Sequence, residues 1–161
     1  MKTAGLLLIG ICAFIYVRSY VRAREEELSE YRGVYEMLRH IESKISGTGM
    51  PFSEAIADFS CECTRINELA SVLLTEIGGM GERNLGAVRK LAVGDEDRAR
   101  LVGYFSQFGR EGFDEELRRL SEIRRHFESR ERELSARIEK DIKILWTLYA
   151  TAISALAFLV I

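Results

Sequence analysis

Thr3-Ala4-Gly5-Leu6-Leu7-Leu8-Ile9-Gly10-Ile11-Cys12-Ala13-Phe14-Ile15-Tyr16-Val17 stands near one end of the chain, and Ile144-Leu145-Trp146-Thr147-Leu148-Tyr149-Ala150-Thr151-Ala152-Ile153-Ser154-Ala155-Leu156-Ala157-Phe158-Leu159-Val160-Ile161 stands at the other. Neither run contains Asp, Glu, Lys or Arg, and every acidic residue of the 161 lies between them. At about 1.5 Å per residue, 15 to 19 apolar residues make a helix of roughly 22 to 28 Å, slightly short of a hydrocarbon core of about 30 Å. The pattern predicts two membrane-spanning helices, 3–21 and 144–161, and a domain at 22–143 held on one side of the bilayer.

The charges place that domain. Arg18, Arg22, Arg24 and Arg32 follow the first run, and Arg130, Arg132, Arg137, Lys140 and Lys143 precede the second, whereas Lys2 alone lies beyond the first. Positive charge flanking a span favours the cytoplasmic side, so the domain is expected in the cytoplasm. Tyr16, Arg18 and Tyr20 on one segment, with Lys143, Trp146 and Tyr149 on the other, form the expected membrane-interface belt. Arg18-Ser19-Tyr20-Val21-Arg22 offers no small-x-small cleavage site, so the first run reads as a retained anchor.

Between the anchors the composition is charged but balanced. Charged residues make up 30% of the chain, for a formal net charge of -2. A nucleic-acid partner would call for a basic stripe and a positive domain, and neither is present. Three cysteines, Cys12, Cys61 and Cys63, are too few for a disulfide framework, and Cys61-x-Cys63 without a nearby histidine is an incomplete metal site. No cofactor or metal is expected. Nor does a catalytic constellation stand out, because His40 and His126 sit on helical stretches without a nucleophile at a telling spacing, and the carboxylates are dispersed.

Apolar spacing at three and four residues predicts an all-α fold of six helices. The first helix continues from the anchor through Leu28, Tyr31, Tyr35, Leu38, Ile41 and Ile45 to about Ser46, ending at Gly47-Thr48-Gly49-Met50-Pro51. Further helices are expected over 51–60, 64–77, 83–93 and 95–108. Gly78-Gly79-Met80-Gly81 reads as a turn, since a P-loop needs Lys and a hydroxyl residue after its last glycine and Glu82-Arg83 follows instead. Asp95-Glu96-Asp97 suits the positive start of the fifth helix. The last helix, from about Phe113, carries Phe113, Leu117, Leu120, Phe127, Leu134, Ile138 and Leu145 as a near-heptad stripe, laced with acid-first pairs such as Glu115/Arg119, Glu128/Arg132, Glu133/Arg137 and Glu139/Lys143. Such pairs suit a solvated face; the sharper reading is a partner-docking segment from Glu122 to Arg137, with Arg125, Arg130, Arg132 and Glu133 as its charged contacts.

These stretches, taken in order, resemble the stage III sporulation protein AB family of endospore-forming bacteria. The likeness rests on Leu38 to Ile45, then Thr48-Gly49-Met50-Pro51-Phe52-Ser53-Glu54-Ala55, then Phe105-Ser106-Gln107-Phe108-Gly109, then the charged helix from Leu117 into the last anchor. Met50 stands where the family has Thr, and Glu111-Gly112-Phe113-Asp114 departs from its Leu-Gly-x-Asp. The resemblance implies a cytoplasmic domain similar to the helical domain of type II secretion F and type IV pilus platform proteins. Its turns would be built by Gly47, Gly49, Pro51, Phe52, Ala55, Phe108 and Gly109. It implies a non-catalytic platform of the sporulation channel, in the mother-cell membrane facing the forespore, which docks a secretion-type ATPase encoded beside it and joins other membrane components. The alternative is a membrane-anchored coiled-coil scaffold that self-associates through the last helix and has no ATPase partner.

Overall fold

A computed structural model describes residues 2–77, 85–110 and 112–160, the side chains of 2–7, 9, 77 and 156–160 excepted. Among the described residues it is all-α: α1 Lys2–Thr48, α2 Phe52–Ala57, α3 Thr64–Ile77, α4 Gly86–Arg89, α5 Asp95–Gln107 and α6 Phe113–Val160. The chain divides into two units, one of residues 1–26 with 133–161 and one of residues 27–132.

In the unit 27–132, α1 turns Val34, Met37, Leu38 and Ile41 inward, all fully buried. Their spacing keeps one face of the helix on the core, whose other buried side chains include Ile66, Leu69 and Leu73 of α3, Leu101 and Phe105 of α5, and Leu120 and Phe127 of α6. At Gly33, α1 and α3 come so close that a Cβ would lie 2.7 Å from Ile66 Cγ1. α1 stops at Gly49, whose φ of 66° only glycine takes cheaply and whose N–H donates to Ile45 O at 3.0 Å, closing the last turn.

Two helices are shorter than the periodicity predicts, and side chains explain both. Pro51 starts α2 as expected, but the helix ends at Ala57 rather than near 60. The Asn67 amide accepts from Cys61 N at 2.9 Å and donates to Cys61 O at 2.8 Å, so this backbone is held by a side chain instead of a helical ladder. Likewise α4 ends at Arg89 rather than 93. Arg98 donates to Leu91 O and Val93 O at 2.8 and 2.9 Å, and Glu30 accepts from Ala92 N. The predicted turn at 78–81 and start at 83 lie outside the described residues. The fifth and sixth helices begin where the acidic run and Phe113 place them, although Phe113 itself is 60% exposed and not part of the core.

In the other unit, the start of α1 and the end of α6 lie side by side and antiparallel. Phe14 packs on Trp146 and Tyr149 with ring centroids 6.2 and 6.1 Å apart, and Ile153 passes 3.7 Å from where a Gly10 Cβ would stand. Val17 and Ile138 are buried here, while Leu8, Ile11, Ile15, Ile144 and Leu148 face outward. Among the described residues no helix is long and apolar enough to cross a membrane. The spans expected at 3–21 and 144–161 include residues 3–7, 9 and 156–161, whose side chains lie outside the described residues.

Candidate functional site

The polar centre of the unit 27–132 is Asp97, with only 3% of its side chain exposed. It sits one turn before Leu101 on the buried face of α5, so the helix carries it into the core. Tyr31 of α1 donates its hydroxyl to Oδ2 at 2.5 Å, His126 Nε2 of α6 lies 2.6 Å from Oδ1, and Arg130 Nε donates to Oδ2 at 3.2 Å. Gly94 N donates in turn to the Tyr31 hydroxyl at 2.9 Å. Burial pushes the Asp97 carboxyl up, but the bonds from Tyr31, His126 and Arg130 and the Arg130 charge outweigh it and hold the group below the ordinary carboxylate range. Burial, followed by the bond to Asp97, pushes the Tyr31 phenol up. The carboxylate therefore ties the first, fifth and last helices, and its lone pairs are committed to that task.

Glu30, the neighbour of Tyr31, makes a second knot. Arg65 of α3 donates to its Oε1 at 2.6 Å, and Ala92 N, in the link between α4 and α5, donates to its Oε2. Both acids carried a signal that the sequence reading passed over. Glu30 precedes Val34 by one turn, Asp97 precedes Leu101 by one turn, and Arg130 follows Phe127 by three residues, so each lies in register with an apolar stripe. His126, whose own stretch of sequence holds no nucleophile at a telling spacing, meets a buried acid 29 positions away in the chain.

Four of the expected turn residues, Gly49, Pro51, Phe52 and Phe108, meet at one place. Phe52 and Phe108 stack with centroids 3.8 Å apart, and both line a pocket of about 240 Å³ with Gly49, Pro51 and Leu120. Ala55 is fully buried, whereas Gly47 is exposed with nothing near it. Gly109, at φ 78°, gives its N–H to Glu116 Oε1 at 2.7 Å, so the end of α5 is fastened to the start of α6.

The expected docking residues fall in both units. Glu122 accepts from Arg118 at 2.6 Å, Arg132 donates to Glu128 at 2.6 Å, Arg125 is exposed, and Arg130 is drawn to Asp97. These four belong to the unit 27–132, while Glu133 and Arg137, both exposed, belong to the other. The residues expected at a membrane interface all belong to that other unit: Tyr16 is 70% exposed, Arg18 is exposed, Tyr20 accepts from Arg24 at 3.3 Å, Lys143 holds Glu139 at 2.7 Å, and Trp146 packs edge-on to Tyr149. Among the described residues no three His, Cys, Asp or Glu side chains are placed to hold a metal ion.

A cleft of about 350 Å³ opens between α5 and α6, with Arg100, Gly103 and Tyr104 on one wall and Arg119, Ile123 and His126 on the other. No protein-family model, no curated protein and no solved structure matches the chain.

Proposed function

We propose that this chain is a non-catalytic membrane platform that receives a secretion-type ATPase on the cytoplasmic helices of residues 22–143, the role of the stage III sporulation protein AB family it resembles. It would sit in the mother-cell membrane facing the forespore as part of a secretion-like channel. The observation that carries the reading is the set of apolar side chains that face outward from the two charge-free runs in the unit 1–26 with 133–161. Leu8, Ile11, Ile15 and Leu148 are 58 to 64% exposed there, on helices that already pair through Phe14, Trp146 and Tyr149. Apolar surface of that extent on a two-helix element needs a cover, and lipid suits it because aromatic and basic residues follow at one end of each run.

What favours a platform over a coiled-coil scaffold is the fate of the α6 stripe. Leu120, Phe127 and Ile138 of that stripe are buried within the chain itself, so these positions are not open to a second copy. The test is capture of the ATPase encoded beside the gene by the tagged full chain in detergent. Capture that is weakened by Arg125→Glu with Arg132→Glu supports the platform; a folded chain that captures nothing removes it.

A further inference from the structure

We infer that the unit 1–26 with 133–161 selects phospholipids of net negative charge, whose headgroups are held by Arg18 of α1 and Lys140 of α6. The inference rests on the membrane reading for the presence of a bilayer and names the lipid class that meets this unit.

The first observation is the order of residues along one face of each helix. On α1, Leu8, Ile11, Ile15, Arg18 and Arg22 follow one another at spacings of three and four, and all are exposed. On α6, Lys140, Ile144 and Leu148 do the same, again all exposed. Each stripe is apolar toward its end of the chain and turns cationic toward the unit 27–132. Because the helices lie antiparallel, with Phe14 on Trp146 and Tyr149, the two cationic stretches stand at the same end of the pair. Leu8 to Ile15 covers about 10 Å of helix, a depth to which an apolar face enters a single leaflet, so the site does not require either helix to cross a bilayer.

The second is how the charges are answered. Elsewhere on α6, charges three or four residues apart pair with their opposites, as Arg118 does with Glu122 and Arg132 with Glu128. The neighbours of Arg18 at those spacings are Phe14, Ile15, Val21 and Arg22, and those of Lys140 are Ala136, Arg137, Lys143 and Ile144. None is acidic and three are cationic, an arrangement that costs a helix stability. Among the described residues the side chains of Arg18 and Lys140 make no hydrogen bond or ion pair. Arg22 and Lys143 have acids of their own, Glu26 at 3.2 Å and Glu139 at 2.7 Å, and are not part of the site.

One class of molecule answers both observations. A phospholipid lays acyl chains along the apolar part of each stripe and brings its phosphate to the level of the cation beyond it. A zwitterionic headgroup carries its own cation and leaves Arg18 and Lys140 unanswered, whereas a headgroup of net negative charge does not.

Trp146 is the chain's only tryptophan and stands two residues before Leu148 of the α6 stripe, so it reports the lipid beside this unit. The experiment reconstitutes the full chain in phosphatidylcholine vesicles containing equal small fractions of either brominated phosphatidylglycerol or brominated phosphatidylcholine, and measures quenching of Trp146. The association constant derived for the brominated phosphatidylglycerol should be about fivefold or more the larger, and added salt should lower the ratio. Arg18→Gln with Lys140→Gln should bring the ratio close to unity while quenching by brominated phosphatidylcholine persists. Arg18→Lys with Lys140→Arg should keep the preference, as should Arg39→Gln, exposed on the unit 27–132. Equal quenching of the wild type by the two lipids overturns the inference and leaves the membrane reading standing. A preference that survives the double Gln variant overturns it as well. Quenching by neither lipid ends the membrane reading and the inference together. A preference that the double Gln variant loses, in a chain that captures no ATPase, supports the inference and ends the platform reading.

Discussion

Replacing Asp97 by alanine should cost about 3 kcal/mol of folding stability. Its carboxylate is 3% exposed and accepts from Tyr31 and Arg130 while bonding His126, so truncation takes one partner from each of three polar groups at once. Hydrogen bonds to a charged group contribute about 1.5–3 kcal/mol, and breaking a buried ion pair costs about 3–5 kcal/mol. Arg130, with 46% of its side chain exposed, regains water and its share is discounted, which brings the sum to the lower end. Against a typical total of about 5–15 kcal/mol the loss is large. Urea denaturation of the full chain in detergent, followed by circular dichroism, measures it. In a Tyr31→Phe background the same substitution should cost about 1 kcal/mol less, because the two groups act through one bond. A loss under about 1 kcal/mol, or strict additivity with Tyr31→Phe, would refute the view that Asp97 ties the helices. The pH dependence follows from the direction of its shift. The folded group titrates below its ordinary 3.8, so its contribution is fully present above that value and disappears as pH falls through the folded value. The stability gap between wild type and Asp97→Asn should therefore be flat above about pH 5 and narrow below 3.8.

Gly33→Ala should lose about 1–3 kcal/mol by overpacking, since its Cβ would stand 2.7 Å from Ile66 Cγ1, and Ile66→Ala should recover part of the loss in a double-mutant cycle. Two nearby glycines should respond with opposite signs in thermal melts: Gly49→Ala destabilises by about 1–2 kcal/mol because of its positive φ, whereas Gly47→Ala, in open space on α1, stabilises by up to about 1 kcal/mol. Phe52→Ala should cost about 3–5 kcal/mol in urea denaturation and loosen the junction of α2 with the end of α5, as its ring stacks on Phe108. Burial raises the Cys61 thiol, so alkylation of Cys61 at neutral pH should be slower than that of an exposed model thiol, read by mass spectrometry.

The helices that the sequence displayed best are those bounded by backbone chemistry. α3 and the start of α5 fall where the apolar period and the glycines around them predict. The helices that came out short, α2 and α4, are ended by side chains from elsewhere, Asn67 in one case and Glu30 with Arg98 in the other, and such partners are invisible to a local window. The same holds for Asp97. Its place in the first turn of α5 suggests a surface acid facing the helix dipole, and only its register with Leu101 hints otherwise. What buries it is Tyr31, 66 residues earlier, and His126, 29 residues later.

The Asp97 knot also dictates an order of events. Arg32 and Glu131 pair across 99 positions, and Asp97 waits for His126 and Arg130 after Tyr31 is already in place. A chain growing from the ribosome can assemble α1 to α5 against one another, but the Asp97 carboxylate lacks His126 and Arg130 until α6 has emerged. Closure of the fold is thus a late step over a long loop, which favours slow completion and a vulnerable nascent intermediate. Premature termination within 113–130 should yield a protease-sensitive product rather than a smaller stable domain.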